Sequence, residues 1–189
     1  MKAILESKDF IKLVDATKRF AAMSDTKPIH TWIRLEFTKE SNKVTAIAVD
    51  GYKMGFETRN CFDLDEDFVA YIRPNIKKPF VSQKYVAIEL IGKRLLISYD
   101  SDIVGYQQPD GEFLDWKKTY EDIIGKDTTY KIGFNVDHLI AALQSAKAST
   151  PDRLRIPAVL EFGNPHEPLV IRTGDGNVKI ALPVRLKQE

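Results

Sequence analysis

The sequence predicts an α+β protein of antiparallel sheets with few helices. Three observations carry that reading. Two stretches, near residues 8–23 and 136–148, read as helices from apolar residues at helical spacing. Most of the remainder alternates apolar and polar residues, as half-buried strands do. One order of elements, strand–helix–strand–strand–strand, recurs at a spacing of about 60 residues.

The elements follow in order. Met1 to Leu5 reads as a strand and Lys8 to Met23 as the clearest helix, with Phe10, Leu13, Val14, Thr17, Phe20 and Ala21 on one apolar face and Ser7 as the expected N-cap. The opposite face carries Lys8, Lys12, Asp15 and Arg19, with Lys18 beside them. Strands are expected at Thr31–Phe37 and Val44–Val49, and a third ends near Thr58. Phe68–Arg73 opens the second repeat. There Pro74-Asn75-Ile76-Lys77-Lys78-Pro79 stands where a helix would fall, and two prolines reduce it to a turn at most. Tyr85–Leu90, Arg94–Tyr99 and Ile103–Gln107 complete that repeat. Tyr130–Phe134 opens the third. A helix over Val136–Ala148 follows, with Val136, Leu139, Ile140 and Leu143 as its buried stripe, Asn135 or Asp137 as its cap, and Ser149-Thr150-Pro151 as its stop. Strands at Leu154–Phe162, Leu169–Arg172 and Val178–Val184 close the chain, the last two joined by the hairpin signal Gly174-Asp175-Gly176-Asn177. The repeats span residues 1–60, 66–108 and 129–189.

Composition bounds the function. The chain has 189 residues and a mass of 21.5 kDa, with 43% hydrophobic and 29% charged residues, the balance of a globular protein rather than a disordered one. Its apolar runs are only a few residues long, far below the ~18 that a spanning helix needs, so no membrane partner is expected. The N-terminal residues lack the apolar core of a secretory signal, and the single Cys61 allows neither an internal disulfide nor a paired-cysteine metal site. A reducing, cytoplasmic setting is the expectation. The net charge of +1 hides an uneven distribution: +3 over residues 1–60, −3 over 61–126 and +1 over 127–189. Any nucleic-acid contact is therefore a local patch in the first third.

Five motifs in order carry a family resemblance: Leu13-Val14-Asp15-Ala16-Thr17; Ala48-Val49-Asp50-Gly51-Tyr52-Lys53-Met54; Pro109-Asp110-Gly111-Glu112-Phe113-Leu114-Asp115-Trp116; Ile132-Gly133-Phe134-Asn135-Val136; and Leu182-Pro183-Val184-Arg185-Leu186. Together they resemble the bacterial DNA polymerase III beta subunit, the sliding clamp, whose patterns read TDGHRL, DGxFPDY, a strand (I/E)xFN opening a helix, and a C-terminal MPMRL or MPVRL. The resemblance covers almost the whole chain. It implies the DNA-clamp (processivity) fold, either as one clamp-like unit of three repeats or as a first clamp-like domain over residues 1–126 and a second, incomplete one over 127–189. The departures are Tyr52 for the family's His, Phe113-Leu114 for its Phe-Pro, and three half-units in place of three domains.

What the resemblance implies is a non-enzymatic DNA replication or processivity accessory protein. It would contact duplex DNA without sequence preference through Lys8, Lys12, Lys18 and Arg19, since cations on an inner helix meet phosphates in salt-sensitive contacts. It would also take short peptide motifs of a DNA polymerase or other replication proteins in an apolar pocket at Gly51, Tyr52, Lys53, Met54, Ile180, Leu182, Pro183, Val184, Arg185 and Leu186. A homo-oligomer is the expected assembly: four copies would supply the twelve half-units of a ring. The alternative is a clamp-fold adaptor that does not encircle DNA. Each residue set also has a plainer reading. The helix cations can be a solvated face, Asp50-Gly51 an ordinary hairpin turn, and Ile180 and Leu182 residues alternating into a sheet core.

Enzyme readings find little support. His30, His138 and His166 are isolated from any metal-ligand spacing, and Cys61 lies in no nucleophile signature, so no metal, cofactor or catalytic residue is expected. A hydrolase built on His138 or His166 has no motif behind it. The acidic run Asp63, Asp65, Glu66 and Asp67 lacks the glycine and terminal Glu of a calcium loop and reads as a solvated turn. Gly174-Asp175-Gly176 precedes no helix and is a hairpin, not a phosphate loop.

Overall fold

The computed structural model describes residues 1–24, 27–80, 82–99, 102–126, 131–149, 157–174 and 176–186. The chain forms two compact units, Met1–Asp115 and Trp116–Glu189.

The first unit holds two copies of the strand–helix–three-strand order. β1 (Lys2–Glu6), α1 (Ser7–Thr17), β2 (Ile33–Thr38), β3 (Lys43–Val49) and β4 (Met54–Asn60) form the first copy. β5 (Phe68–Ile72), β6 (Tyr85–Ile91), β7 (Arg94–Tyr99) and β8 (Asp102–Gln107) form the second, which has no helix among its described residues. The two copies exchange their opening strands. β1 joins the second copy's meander in a sheet ordered β1-β6-β7-β8, and β5 joins the first copy's in a sheet ordered β4-β3-β2-β5, every pairing being antiparallel. Inward residues alternate along the strands, so Ala3, Leu5, Ile33, Leu35, Val86 and Ile88 are all sealed from solvent. α1 packs against β3 and β4 of one sheet and β1 and β6 of the other, burying Phe10, Leu13, Val14 and Thr17.

Three local features differ from the sequence expectation. The first helix ends at Thr17, not Met23: the Thr17 hydroxyl donates to the Leu13 carbonyl (2.6 Å), Lys18–Phe20 tightens into a 3-10 turn, and Ala21 is extended. Ser7 is not the N-cap but the first helical residue. The chain leaves β1 without a linker, so the Ser7 N–H is already paired with the Lys84 carbonyl (3.1 Å), and its buried hydroxyl has no partner. The strand expected from Thr31 starts at Ile33, because Pro28–Thr31 is a 3-10 turn with proline at its opening. The Pro74–Pro79 segment forms a single turn, as expected. Ile76 donates to the Arg73 carbonyl, and the Tyr99 hydroxyl fixes the Lys77 carbonyl at 2.7 Å.

The second unit holds one copy of the repeat. It contains α2 (Trp116–Ile124), β9 (Gly133–Phe134), α3 (Val136–Ser149), β10 (Val159–Glu161), β11 (Leu169–Arg172), β12 (Val178–Ala181) and β13 (Pro183–Val184). β10, β11 and β12 form an antiparallel sheet in that order, and β13 pairs with β9. The expected strand Val178–Val184 is therefore two. Pro183 has no N–H to extend the pairing with β11, and the chain changes partner at Leu182. α2 lies where the sequence reading assigns no element. It stands on Trp116, Tyr120, Ile123 and Ile124 at helical spacing, a signal present in the sequence.

The predicted stripe of α3 is also corrected. Asn135 caps the helix through its side-chain oxygen, which accepts from Asp137 N (2.9 Å) and His138 N (3.2 Å). Yet Val136, Ile140 and Leu143 are exposed and Leu139 only half-buried; the helix buries Ala146 alone. The core of this unit among the described residues is Ala146, Leu169, Ile171 and Ala181, with Phe134, Leu139 and Ala142 against it. Tyr130, the helix stop at Thr150-Pro151, the start of the strand at Leu154 and Asp175 of the hairpin lie outside the described residues.

Candidate functional site

Of the candidate cations, Lys8 and Lys12 lie on α1 outside its buried face, whereas Lys18 and Arg19 fall in the 3-10 turn that follows the helix, not on the longer helix the sequence predicts. Their electrostatics separate them. The Lys8 ammonium lies 2.6 Å from Glu6, and that hydrogen bond raises its pKa above the ordinary lysine value. Lys18 lies 2.6 Å from Asp15, whose carboxylate also accepts from Lys78 at 3.0 Å. Hydrogen bonds from Lys18 first and Lys78 second hold the Asp15 carboxyl below the usual range. Lys12 and Arg19 are exposed, with no ion pair among the described residues. The set thus holds two cations already neutralised by neighbours and two open to an anion.

The Asp50–Met54 turn follows β3. Gly51 adopts φ +91°, the left-handed conformation expected for it, and open space surrounds its α-carbon. Asp50 organises the turn by accepting from the N–H groups of Tyr52 and Lys53, each at 3.0 Å. Partial burial opposes its charge, but those N–H bonds and Lys53 keep its carboxyl below the ordinary value. Tyr52 is fully exposed, and with Ala22, Lys27, His30 and Gly51 it lines an open cavity of about 510 Å³. Lys53 reaches back from the turn. Its ammonium donates to the Arg19 carbonyl at 2.5 Å and lies 3.4 Å from Asp50. This tie joins the turn to the end of the cationic helix, and nothing in the residue pattern signalled it. A second link is steric: a side chain at Gly55 would stand 2.5 Å from the Phe20 ring, so glycine is what lets that ring close over β4.

The C-terminal candidates lie in the second unit. Ile180, Leu182, Val184 and Leu186 are exposed, while Ala181 between them is buried. Ile180 and Leu182 therefore do not alternate into the sheet core; the buried member of β12 is the alanine. Pro183, Val184, Arg185 and Leu186 line a cavity of about 690 Å³ with Lys131, Gly133, Pro165 and His166. The turn residues Gly51–Met54 belong to the first unit and Ile180–Leu186 to the second.

The remaining candidates resolve as structure. Asp65 accepts from Lys2 N (2.8 Å), Asp67 accepts from Lys39 N (2.7 Å), and Asp63 lies 3.4 Å from the Lys2 ammonium, so these carboxylates pin the turn before β5 to its neighbours. No group of His, Cys, Asp and Glu able to hold a metal occurs among the described residues. Burial pushes the Cys61 thiol up to about 11, the opposite of an activated nucleophile. No helix among the described residues is long and apolar enough to cross a membrane.

Paired four-stranded sheets with exchanged opening strands, followed by a third copy of the same unit, define the DNA-clamp fold. Solved structures share it along the whole chain. The sliding clamp of Bacillus subtilis superposes with a TM-score of 0.77 at 14% identity, over 100% of this chain and 50% of that one. The DNA polymerase III beta chain of Streptococcus pneumoniae gives 0.73 at 17% identity, over 100% and 51%. The beta subunit of Streptococcus pyogenes gives 0.75 at 16%, over 96% and 50%. The chain spans about half the length of each. No protein-family model matches the sequence, and no curated protein matches it. At these identities the likeness establishes the fold, and the ordered motifs of the sequence agree with it.

Proposed function

We propose that this protein is a non-enzymatic, clamp-type accessory factor of DNA replication that contacts duplex DNA through α1 and tethers peptide motifs of replication proteins. The observation that carries the reading is the segment Ile180–Leu186, with Ile180, Leu182, Val184 and Leu186 exposed beside an open cavity, on a chain with the clamp fold throughout. Apolar residues left in water at the end of a sheet, with Arg185 and Lys131 at the margin, suit a short peptide with one or two large apolar anchors and an acidic flank. Lys12 on α1 and Arg19 in the 3-10 turn after it would make the phosphate contacts. Each neutralised phosphate contributes a slope of about −0.9 to log affinity against log salt, so two contacts give about −2 per copy.

Titration with a clamp-binding pentapeptide tests the tether. Pro183→Asp should weaken capture by at least about 2 kcal/mol with little change in thermal stability, because Pro183 is only half-buried, in a two-residue strand. Met54→Asp measures the share of the turn separately. Absence of binding by the native chain would end the tether reading. Anisotropy with labelled duplex DNA at low salt tests the helix. Replacing Lys8, Lys12, Lys18 and Arg19 with Glu should abolish binding, and unchanged affinity would remove α1 from the interface.

One observation favours the alternative adaptor that does not encircle DNA: the ion pairs of Lys8 with Glu6 and of Lys18 with Asp15 leave α1 weakly cationic. Peptide capture without measurable duplex affinity would select it.

A further inference from the structure

We infer that the single half-unit of β9, α3 and β10–β12 is completed by the same half-unit of a second copy of this chain, with β9 of each copy adding to β10 of the other. The first unit is the template. There the opening strand of each half-unit pairs antiparallel with the first meander strand of the other: β1 with β6, and β5 with β2. The far side of β1 is bridged to Phe62, just after its own half-unit's last strand, through reciprocal Ile4–Phe62 bonds of 2.8 and 2.9 Å. The second unit reproduces that far side only. β9 pairs with β13, just after its own last strand, while β10 stands at the edge of its sheet.

The helices agree. Counted from their first residues, Ser7 corresponds to Val136, Val14 to Leu143 and Thr17 to Ala146. Ser7 and Val14 are 2% and 1% exposed, whereas Val136 and Leu143 are 68% and 41% exposed. In the first unit α1 touches β6 of the other half-unit, a surface with no counterpart for α3 among the described residues of its unit. From Leu139 to Ala146 the helix carries no charge, the depletion found at the centre of interfaces rather than on solvated faces. The exposed parts of Val136, Ile140, Leu143, Val159, Leu160 and Phe162 amount to on the order of 500 Å² per copy, and doubling across a two-fold axis brings the total to the roughly 1,000 Å² that a specific interface clears. Among the described residues β10 is an edge strand with apolar side chains, an edge that natural sheets rarely leave uncovered.

Light scattering after gel filtration, from low to high micromolar protein, tests the inference. The native chain should give twice 21.5 kDa, or an even multiple. Ile140→Arg with Leu143→Arg should halve that mass and leave the circular dichroism unchanged, since both residues are exposed in a single copy. Val159→Lys with Leu160→Lys tests the β10 edge independently and decides the matter if the helix variant fails to fold. A native monomer at every concentration would overturn the inference and leave the face to another segment or another protein. An oligomer whose mass survives both variants would overturn it as well, since a different surface would then hold it.

Discussion

The two units run the same supersecondary program to different ends. In the first, α1 is wedged between sheets to which both half-units contribute, and its apolar face is sealed. In the second, α3 carries a weaker apolar stripe and packs chiefly on β11 and β12 among the described residues, and most of that stripe meets water. Periodicity specifies which face of a helix seeks burial. Whether the face is buried depends on a surface that another part of the fold must supply.

The sharpest test of this contrast uses equivalent helix positions. Phe10→Ala should cost about 3–5 kcal/mol in urea denaturation followed on the first unit, because a fully buried ring leaves a cavity. Leu139→Ala, at the matching position of α3, should cost less than half as much at low protein concentration, where the side chain is half-buried. Equal costs would erase the distinction. A smaller effect separates two crowded glycines. Gly55→Ala drives a Cβ against the packed Phe20 ring and should lose about 1–3 kcal/mol in thermal unfolding. Gly133→Ala meets the free end of exposed Leu186 at 2.6 Å, which can rotate aside, and should be nearly neutral. Gly51→Ala should cost on the order of 1 kcal/mol through its positive φ alone, with no packing contribution, which calibrates the other two.

The last test reads chemistry. Burial holds the Cys61 thiol at about 11, so at mildly alkaline pH it should resist iodoacetamide in the folded first unit and react once urea opens that unit. With the folded pKa raised above the unfolded value, the thiol's contribution to stability is present below the unfolded pKa and lost as pH climbs through the folded one. Mass spectrometry across a urea series follows the modification. Rapid labelling of the folded protein would show that the unit opens readily.

The sequence made most of the first unit legible, because alternation along β2, β6 and β7 and the period of α1 coincide with the burial found there. The order of elements also revealed the repeat. Exchange of opening strands was not legible: nothing in Lys2–Glu6 says that its partner is Tyr85–Glu89 rather than a neighbour in its own half-unit. The cap at Ser7 failed for the same reason, since Lys84 comes from the other half-unit. Among the candidate site residues, the placement of Lys8 and Lys12 on α1 and the left-handed Gly51 follow from local pattern, whereas Lys18 and Arg19 fall in the 3-10 turn beyond the helix. The ties of Lys78 to Asp15 and of Lys53 to the Arg19 carbonyl depend on tertiary approach and left no local trace.

The exchanged strands also set a schedule for synthesis. Lys2 finds its ladder partner in Glu89, so β1 is made early and waits for most of the first unit before it can join a sheet. At translation rates of about 5–20 residues per second, that interval is roughly 4–17 s. Throughout it the alternating apolar residues of Lys2–Glu6 stand without their sheet, where a chaperone or a neighbouring nascent chain could reach them. The topology that seals the finished unit so well leaves its first strand the longest unpartnered at the ribosome.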